Sequence, residues 1–290
     1  MIPERVKPAM TPRIEPIWEY RADNTLAAAY ERYKTTYQIP WVGVFALAFA
    51  RHRHFFDLWQ ESLAELSESR QYVETVLALR QSVEDAVKDF APPPIAGRLR
   101  NIGYSDRELD EIRQTIEIFS HGNFIQVPAA FAARHLLEGG SLGSEKTVTP
   151  FANSHAPNVS VPFIMVEPHH ALNDQQELYS DVMKTLGLPF INSDYRAFAR
   201  WPSYFQMAWS DLRPHATTPA HEEIAQNMHD RIFNAVADMP NPTGLTSSKL
   251  LEAAQNDGDP ENLLALTRFF TWLIPGLLIN VAFFRAQLEG

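Results

Sequence analysis

The chain repeats itself, and that repetition constrains its fold more than any other feature. Ile39-Pro40-Trp41 through Phe49-Ala50-Arg51 aligns without a gap to Leu188-Pro189-Phe190 through Phe198-Ala199-Arg200, 149 residues on. The same separation pairs Tyr30 with Tyr179, Thr36 with Thr185, Phe56 with Phe205, Glu74 with Glu223, Val87 with Val236 and Asp89 with Asp238. Leu137-Glu138-Gly139 pairs with Leu288-Glu289-Gly290 at a separation of 151. A register held this long marks one structural unit used twice. The expected organisation is a first repeat over 1–140, a linker over 141–171 and a second repeat over 172–290. Two such copies are expected to pack about a pseudo-twofold axis, as two subunits of a homodimer would.

The repeats read as all-α. Ser105-Asp106-Arg107-Glu108 is a capping box, in which Ser and Glu side chains satisfy free amides at a helix start. Leu109, Ile112, Ile116 and Phe119 follow at helical spacing. Asp259-Pro260-Glu261 places a cap before a proline at the first helical position, and Gly139 and Gly290 sit where a helix stops. Pro92-Pro93-Pro94 and Pro240-Asn241-Pro242 break the two copies at matching places. Each copy therefore reads as about five helices, one of them running from Tyr195 to Trp209. The linker carries Gly, Ser, Pro, Asn and His169-His170 with no helical period, and only Val159 to Val166 has extended character.

Several function classes drop out. The chain has no Cys, which removes disulfides, thiolate metal sites and thiol redox chemistry. A formal net charge of -10 with no basic run argues against nucleic acid. It leaves room for an anionic small molecule, because a pocket can be locally positive. Phe269 to Phe284 holds no charge, but it is shorter than a membrane span and carries Pro275, Gly276 and Asn280, so a buried core helix is expected. No apolar stretch follows the first residues, so a cytoplasmic protein is expected. His221 to His229 lacks zinc-protease spacing, and solvated histidines are expected in place of a metal site. No cofactor is expected, and a homodimer of the whole chain is a candidate assembly.

Comparing the copies singles out candidate site residues. Arg51 and Arg200 match, which points to structural salt bridges. Asp194 falls where the first copy has Phe45, and Asn192 and Ser193 replace Gly43 and Val44. Asp194 reads either as a helix cap, stabilising by about 1 kcal/mol, or as a general base beside amides that hold a carboxylate. A base must stay ionised, so its burial is expected to be incomplete. Asn123 follows Gly122 and falls opposite Ile274. It reads either as a cap or as a holder of water, since its amide both donates and accepts.

At Ser193-Asp194-Tyr195-Arg196-Ala197 and Ala199-Arg200-Trp201-Pro202 the sequence resembles the group I 2-haloacid dehalogenases. The likeness covers nearly the whole chain through length, repeat plan and linker position. More distantly, the plan is similar to alkyl hydroperoxidase D-like proteins, whose chemistry needs the Cys pair absent here. The resemblance implies an all-helical fused pseudo-dimer that hydrolyses small 2-halocarboxylic acids of either hand. It implies that Asp194 activates a water, that Asn123 positions it, and that the water attacks the halogen-bearing carbon with no covalent ester. Asn192 and Ser193 would line the carboxylate site and Trp41 the pocket. The wall departs from the family at Gln126, where Tyr is expected, and at Val44, where Phe is. Ile274, Leu277 and Leu278 are aliphatic where the family is aromatic. The alternative is a non-catalytic or differently acting helical protein that binds a small carboxylic acid.

Overall fold

The computed structural model describes residues 2–289. Its helices are α1 (Asn24–Tyr37), α2 (Val44–Phe49), α3 (Arg53–Ser67), α4 (Arg70–Val87), α5 (Ala96–Asn101), α6 (Asp106–Leu137), α7 (Asn173–Leu186), α8 (Ser193–Phe198), α9 (Pro202–Leu212), α10 (Pro219–Asp238), α11 (Ser247–Asn256) and α12 (Pro260–Glu289). The fold is all-α. Among the described residues there is no strand, only an isolated bridge between Ser69 and Pro150. The starts of α7 to α10 each fall 149 residues after those of α1 to α4. Hydrogen bonds follow the same spacing. Ile17 N donates to Leu47 O (3.0 Å) and Val166 N to Arg196 O (2.9 Å). Tyr30 Oη donates to Ile17 O (2.7 Å) and Tyr179 Oη to Val166 O (3.0 Å).

Two compact units emerge. One comprises the chain up to Leu79, Gly122–Ala156 and Gln226–Pro275; the other comprises Arg80–His121, Pro157–Ala225 and the chain from Gly276. In the first, the indole of Trp59 is ringed by Phe49, Phe55 and Phe56 at centroid distances of 5.6, 6.5 and 5.9 Å. Its Nε1 donates to Ala129 O (3.0 Å), so a large apolar body and its one polar handle are both satisfied. In the second, Phe198 packs edge-on against Phe284 and Tyr204 at 5.4 and 6.0 Å.

The terminal signals act as read. Ser105 Oγ accepts from Glu108 N (3.3 Å) and Glu108 Oε2 accepts from Ser105 N (2.8 Å), opening α6. Asp259 Oδ1 accepts from Glu261 N (3.0 Å) at the start of α12. Gly139 takes φ 87° just beyond α6. Gly290 lies outside the described residues. Arg51 pairs with Glu15 and Arg200 with Glu111, at 3.0 and 2.9 Å.

Four expectations need correction. Among the described residues six α-helices, α1 to α6, precede the expected linker and six, α7 to α12, follow it, where about five each were expected. The run expected as one helix from Tyr195 to Trp209 is α8 and α9, because Pro202 opens α9 and Trp201 before it is driven to φ -120°, ψ 82°. Val159 to Val166 forms no strand, and Gln114 Oε1 instead accepts from Ser160 N and Val161 N (2.7 and 3.0 Å). The histidines are not generally solvated: His52, His121, His221 and His229 are buried. His229 lies beside Phe131 and Phe233, and burial holds its ring below the ordinary histidine value and so neutral. Helix α12 is long and apolar enough to cross a membrane, yet 72% of its most apolar window is buried inside the protein.

Helix α3 borrows its cap. His52 precedes it and offers no side-chain cap bond. Asp257, at the end of α11, supplies the carboxylate instead. Its Oδ1 accepts from His54 N (3.0 Å) and its Oδ2 from Phe55 N (2.9 Å). An anion here satisfies orphan amides and meets the positive end of the helix. Asp257→Ala is expected to cost about 1–2 kcal/mol, read as a lower midpoint in urea unfolding. An unchanged midpoint would show that α3 does not depend on this carboxylate.

Candidate active site

Two helix starts, those of α2 and α8, and the interiors of α6 and α12 carry the candidate residues. In the unit holding α2, Trp41, Gly43 and Val44 run into that helix, and Gly122, Asn123 and Gln126 lie on α6. Asn123 sits well inside α6, which removes its reading as a cap. Two glycines let these segments approach closely. A Cβ on Gly122 would fall 2.1 Å from Trp41 Cη2, and one on Gly43 would fall 2.7 Å from Gln126 Oε1. Glycine in a helix interior costs about 1 kcal/mol against alanine, and here it opens the notch that seats the indole. Gln126 is pinned at both ends of its amide. Its Oε1 accepts from Tyr33 Oη and its Nε2 donates to Gly122 O, both at 2.8 Å. Val44 and Asn123 are half-buried, and Trp41, Gln126 and Ile274 are buried.

In the other unit, Asn192, Ser193 and Asp194 open α8. All three are buried, at 5%, 7% and 1% exposure. Asn192 is the cap residue, yet its side chain makes no cap bond, and its Oδ1 is buried without a hydrogen-bond partner. Asp194 lies one residue inside the helix, so the capping role is not its own. The expectation that its burial stays incomplete is not met. In the first unit the residue 149 positions earlier, Phe45, packs into the aromatic core against Phe49 and Phe270. Three consecutive polar side chains thus occupy interior positions at a helix start. Leu278 is buried and Leu277 half-buried on α12.

Sequence reasoning missed Tyr33, Gly43 and Gly122 as supports. Gly122 inside an apolar helix was the available signal; the Tyr33–Gln126 bond spans 93 residues and leaves no local trace.

The comparisons with known proteins bear on this arrangement. No family model matches the chain. It is 37% identical over 242 residues to an (R)-2-haloacid dehalogenase of Rhizobium sp. (strain NHG3), covering 83% of this chain and 94% of that one. It is 34% identical to an (R)-2-haloacid dehalogenase of Pseudomonas putida, covering 97% and 95% of the two chains. The chain belongs to the 2-haloacid dehalogenase family. These are hydrolases acting on carbon–halide bonds, and the all-α fold agrees. A D-2-haloacid dehalogenase solved in complex with L-LA superposes with a TM-score of 0.90 at 31% identity, covering 98% of this chain and 99% of that one. A lower likeness, 23% over 275 residues, joins it to a configuration-inverting 2-haloacid dehalogenase of Alcaligenes xylosoxydans xylosoxydans, covering 91% and 90% of the two.

The notch generates a test of this dehalogenase's scaffold. Gly122→Ala forces the Trp41 indole out of its seat, because a methyl group cannot share its volume. The expected loss is about 1–3 kcal/mol, the usual cost of overpacking, despite alanine's better helix propensity. Thermal unfolding measures it. A variant as stable as the parent would mean that Trp41 moves freely.

Proposed function

We propose that this protein hydrolyses the carbon–halogen bond of small 2-halocarboxylic acids. Asp194 takes a proton from water, and the resulting hydroxide equivalent attacks the halogen-bearing carbon directly. One carbon–oxygen bond forms, the carbon–halogen bond breaks, halide leaves with the bonding pair, and the proton rests on Asp194 before passing to solvent. No ester to the protein forms. Asn123 positions the water, since an amide can accept from it and donate to it. Asn192 and Ser193 hold the substrate carboxylate. Trp41, Val44, Gln126, Ile274, Leu277 and Leu278 line the rest of the pocket.

The observation that carries this reading is the buried run Asn192-Ser193-Asp194. Burying a carboxylate and an unsatisfied amide oxygen is costly, and the position of Asp194 is filled by core-packed Phe45 in the other half. Function explains such an expense where packing does not. The alternative of a simple carboxylate-binding protein fits less well. A buried aspartate beside a bound carboxylate repels it, while a general base needs to be there.

Direct attack passes through the carbon and inverts its configuration, which suits relatives described as configuration-inverting. Two relatives above 30% identity are (R)-2-haloacid dehalogenases. We therefore take the (R) enantiomer as the substrate, in place of both enantiomers, with the (S)-2-hydroxy acid as product. Aliphatic Ile274, Leu277 and Leu278 give this wall no ring to stack, so shape alone sorts the enantiomers there.

Halide release from (R)- and (S)-2-chloropropionate and 2-bromopropionate tests the reading. The wild-type protein should release halide from the (R) forms. Asp194→Asn should lose at least about 10²–10⁴-fold in kcat, the usual worth of a general base, with its melting temperature kept. Asn123→Ala should lose less, because a badly aimed water still reacts at times. Full activity in Asp194→Asn ends the general-base assignment.

A further inference from the structure

One polar chain in the unit that holds Asp194 has no place in the mechanism above. Asn280, a polar residue in the apolar run of α12, donates from Nδ2 to Tyr195 Oη (2.9 Å). Its Oδ1 meets His221 Nε2 at 3.0 Å, which makes that ring nitrogen the donor. All three side chains are buried. His221 is itself fixed: Phe90 stacks on its ring (6.3 Å, 15°), and its backbone amide donates to Thr218 Oγ1 (3.3 Å). Tyr195 packs between Phe205 and Phe284, at 5.8 and 6.4 Å. Burial drives its phenol far above the ordinary value, and the neighbouring Asp194 charge adds to this, so it stays a neutral hydroxyl.

Three buried polar groups in an apolar setting need a reason, because three apolar groups would pack as well. The first half replaces two of the three with alanine. The residues at the matching separations are Ala46 for Tyr195 and Tyr72 for His221 at 149, and Ala129 for Asn280 at 151. Tyr72 stays polar there, its Oη donating to Ile125 O (2.7 Å), but Ala46 and Ala129 carry no polar side chain to reach the helix start, and Phe45 stands where Asp194 does. The polar chain thus accompanies the carboxylate.

Its position says what it does. Tyr195 follows Asp194 on a helix of six residues, and the cap side chain of Asn192 does not bond the first turn. So short a helix has little intrinsic hold on its own start. We propose that Asn280 is a positioning residue for Asp194, acting through Tyr195, with His221 holding the Asn280 amide in the orientation that meets the phenol. The anchor fixes the rotation of α8 and hence the aim of the Asp194 carboxylate. A misplacement of about 1 Å can cost 10²-fold in rate. The inference rests on Asp194 being the base.

The test measures kcat, KM and melting temperature for Tyr195→Phe, Asn280→Leu and the double variant, with Asp194→Asn and Tyr30→Phe alongside. Tyr30→Phe removes a comparable phenol bond, to Ile17 O, far from this chain in sequence, and should lower the melting temperature while leaving kcat unchanged. Tyr195→Phe is nearly isosteric and should fold. We expect both single variants to lose about tenfold in kcat with KM within about twofold, and the double variant to be no worse than the worse single, since the pair acts as one unit. Wild-type kcat with a lowered melting temperature would overturn the proposal, as would fully additive losses. An inactive Asp194→Asn beside fully active Tyr195→Phe and Asn280→Leu sinks the positioning role alone. An active Asp194→Asn sinks the general-base reading and leaves nothing to position.

Discussion

A carboxylate is among the most expensive groups to take out of water, and Asp194 is 1% exposed. The helix that carries it is short, and it is held from outside itself. Val166 N bonds Arg196 O, Arg196 pairs with Glu167, and Asn280 reaches Tyr195. The 149-residue spacing supplies the contrast. Helix α2 starts with Gly43, Val44 and Phe45 and turns an aromatic ring into the core. Helix α8 starts with Asn192, Ser193 and Asp194 and turns polar groups inward. The same backbone plan buries an aromatic ring in one place and a carboxylate in the other.

The candidate residues on the long helices sit beside prolines. Pro128 lies within α6, and Pro275 lies within α12. Each removes an amide from the helical ladder and crowds the carbonyl four residues earlier, on Phe124 and Thr271. Asn123 and Gln126 precede the first proline; Ile274, Leu277 and Leu278 flank the second. Arg5 Nε donates to Trp272 O (3.0 Å), so the extended N-terminal segment ties itself to α12 three residues before its proline. Read in the sequence, Pro275 served only to argue against a membrane span. In the structure it lies inside a continuous helix, among the candidate wall residues.

What the sequence revealed was local or periodic. The capping box at Ser105, the Asp259-Pro260 start and the Gly139 stop involve residues within one turn of each other, so their chemistry is visible in one line of text. Asp194 stood out because the internal match offered Phe45 for comparison. What stayed hidden was tertiary. Asp257 caps a helix about 200 residues away in sequence, Gly122 makes room for a tryptophan on another element, and Tyr33 pins Gln126. The burial of His221 was missed for the same reason: its partner Asn280 lies 59 residues on, and no periodicity links them. The resemblance implied action on both enantiomers, while two relatives are (R)-2-haloacid dehalogenases, and the narrower range is the one proposed above.

On the proposed mechanism water, not the Asp194 carboxylate, attacks carbon. Isotope incorporation in a single turnover addresses it most directly. With enzyme in molar excess over (R)-2-bromopropionate in water enriched in oxygen-18, direct attack puts one solvent oxygen into the hydroxyl of the first product formed. Mass spectrometry of that product should show the label, and the peptide bearing Asp194 should carry none. Unlabelled product, with oxygen-18 appearing in the Asp194 carboxylate, would mean that the aspartate attacked first and that an ester was hydrolysed afterwards.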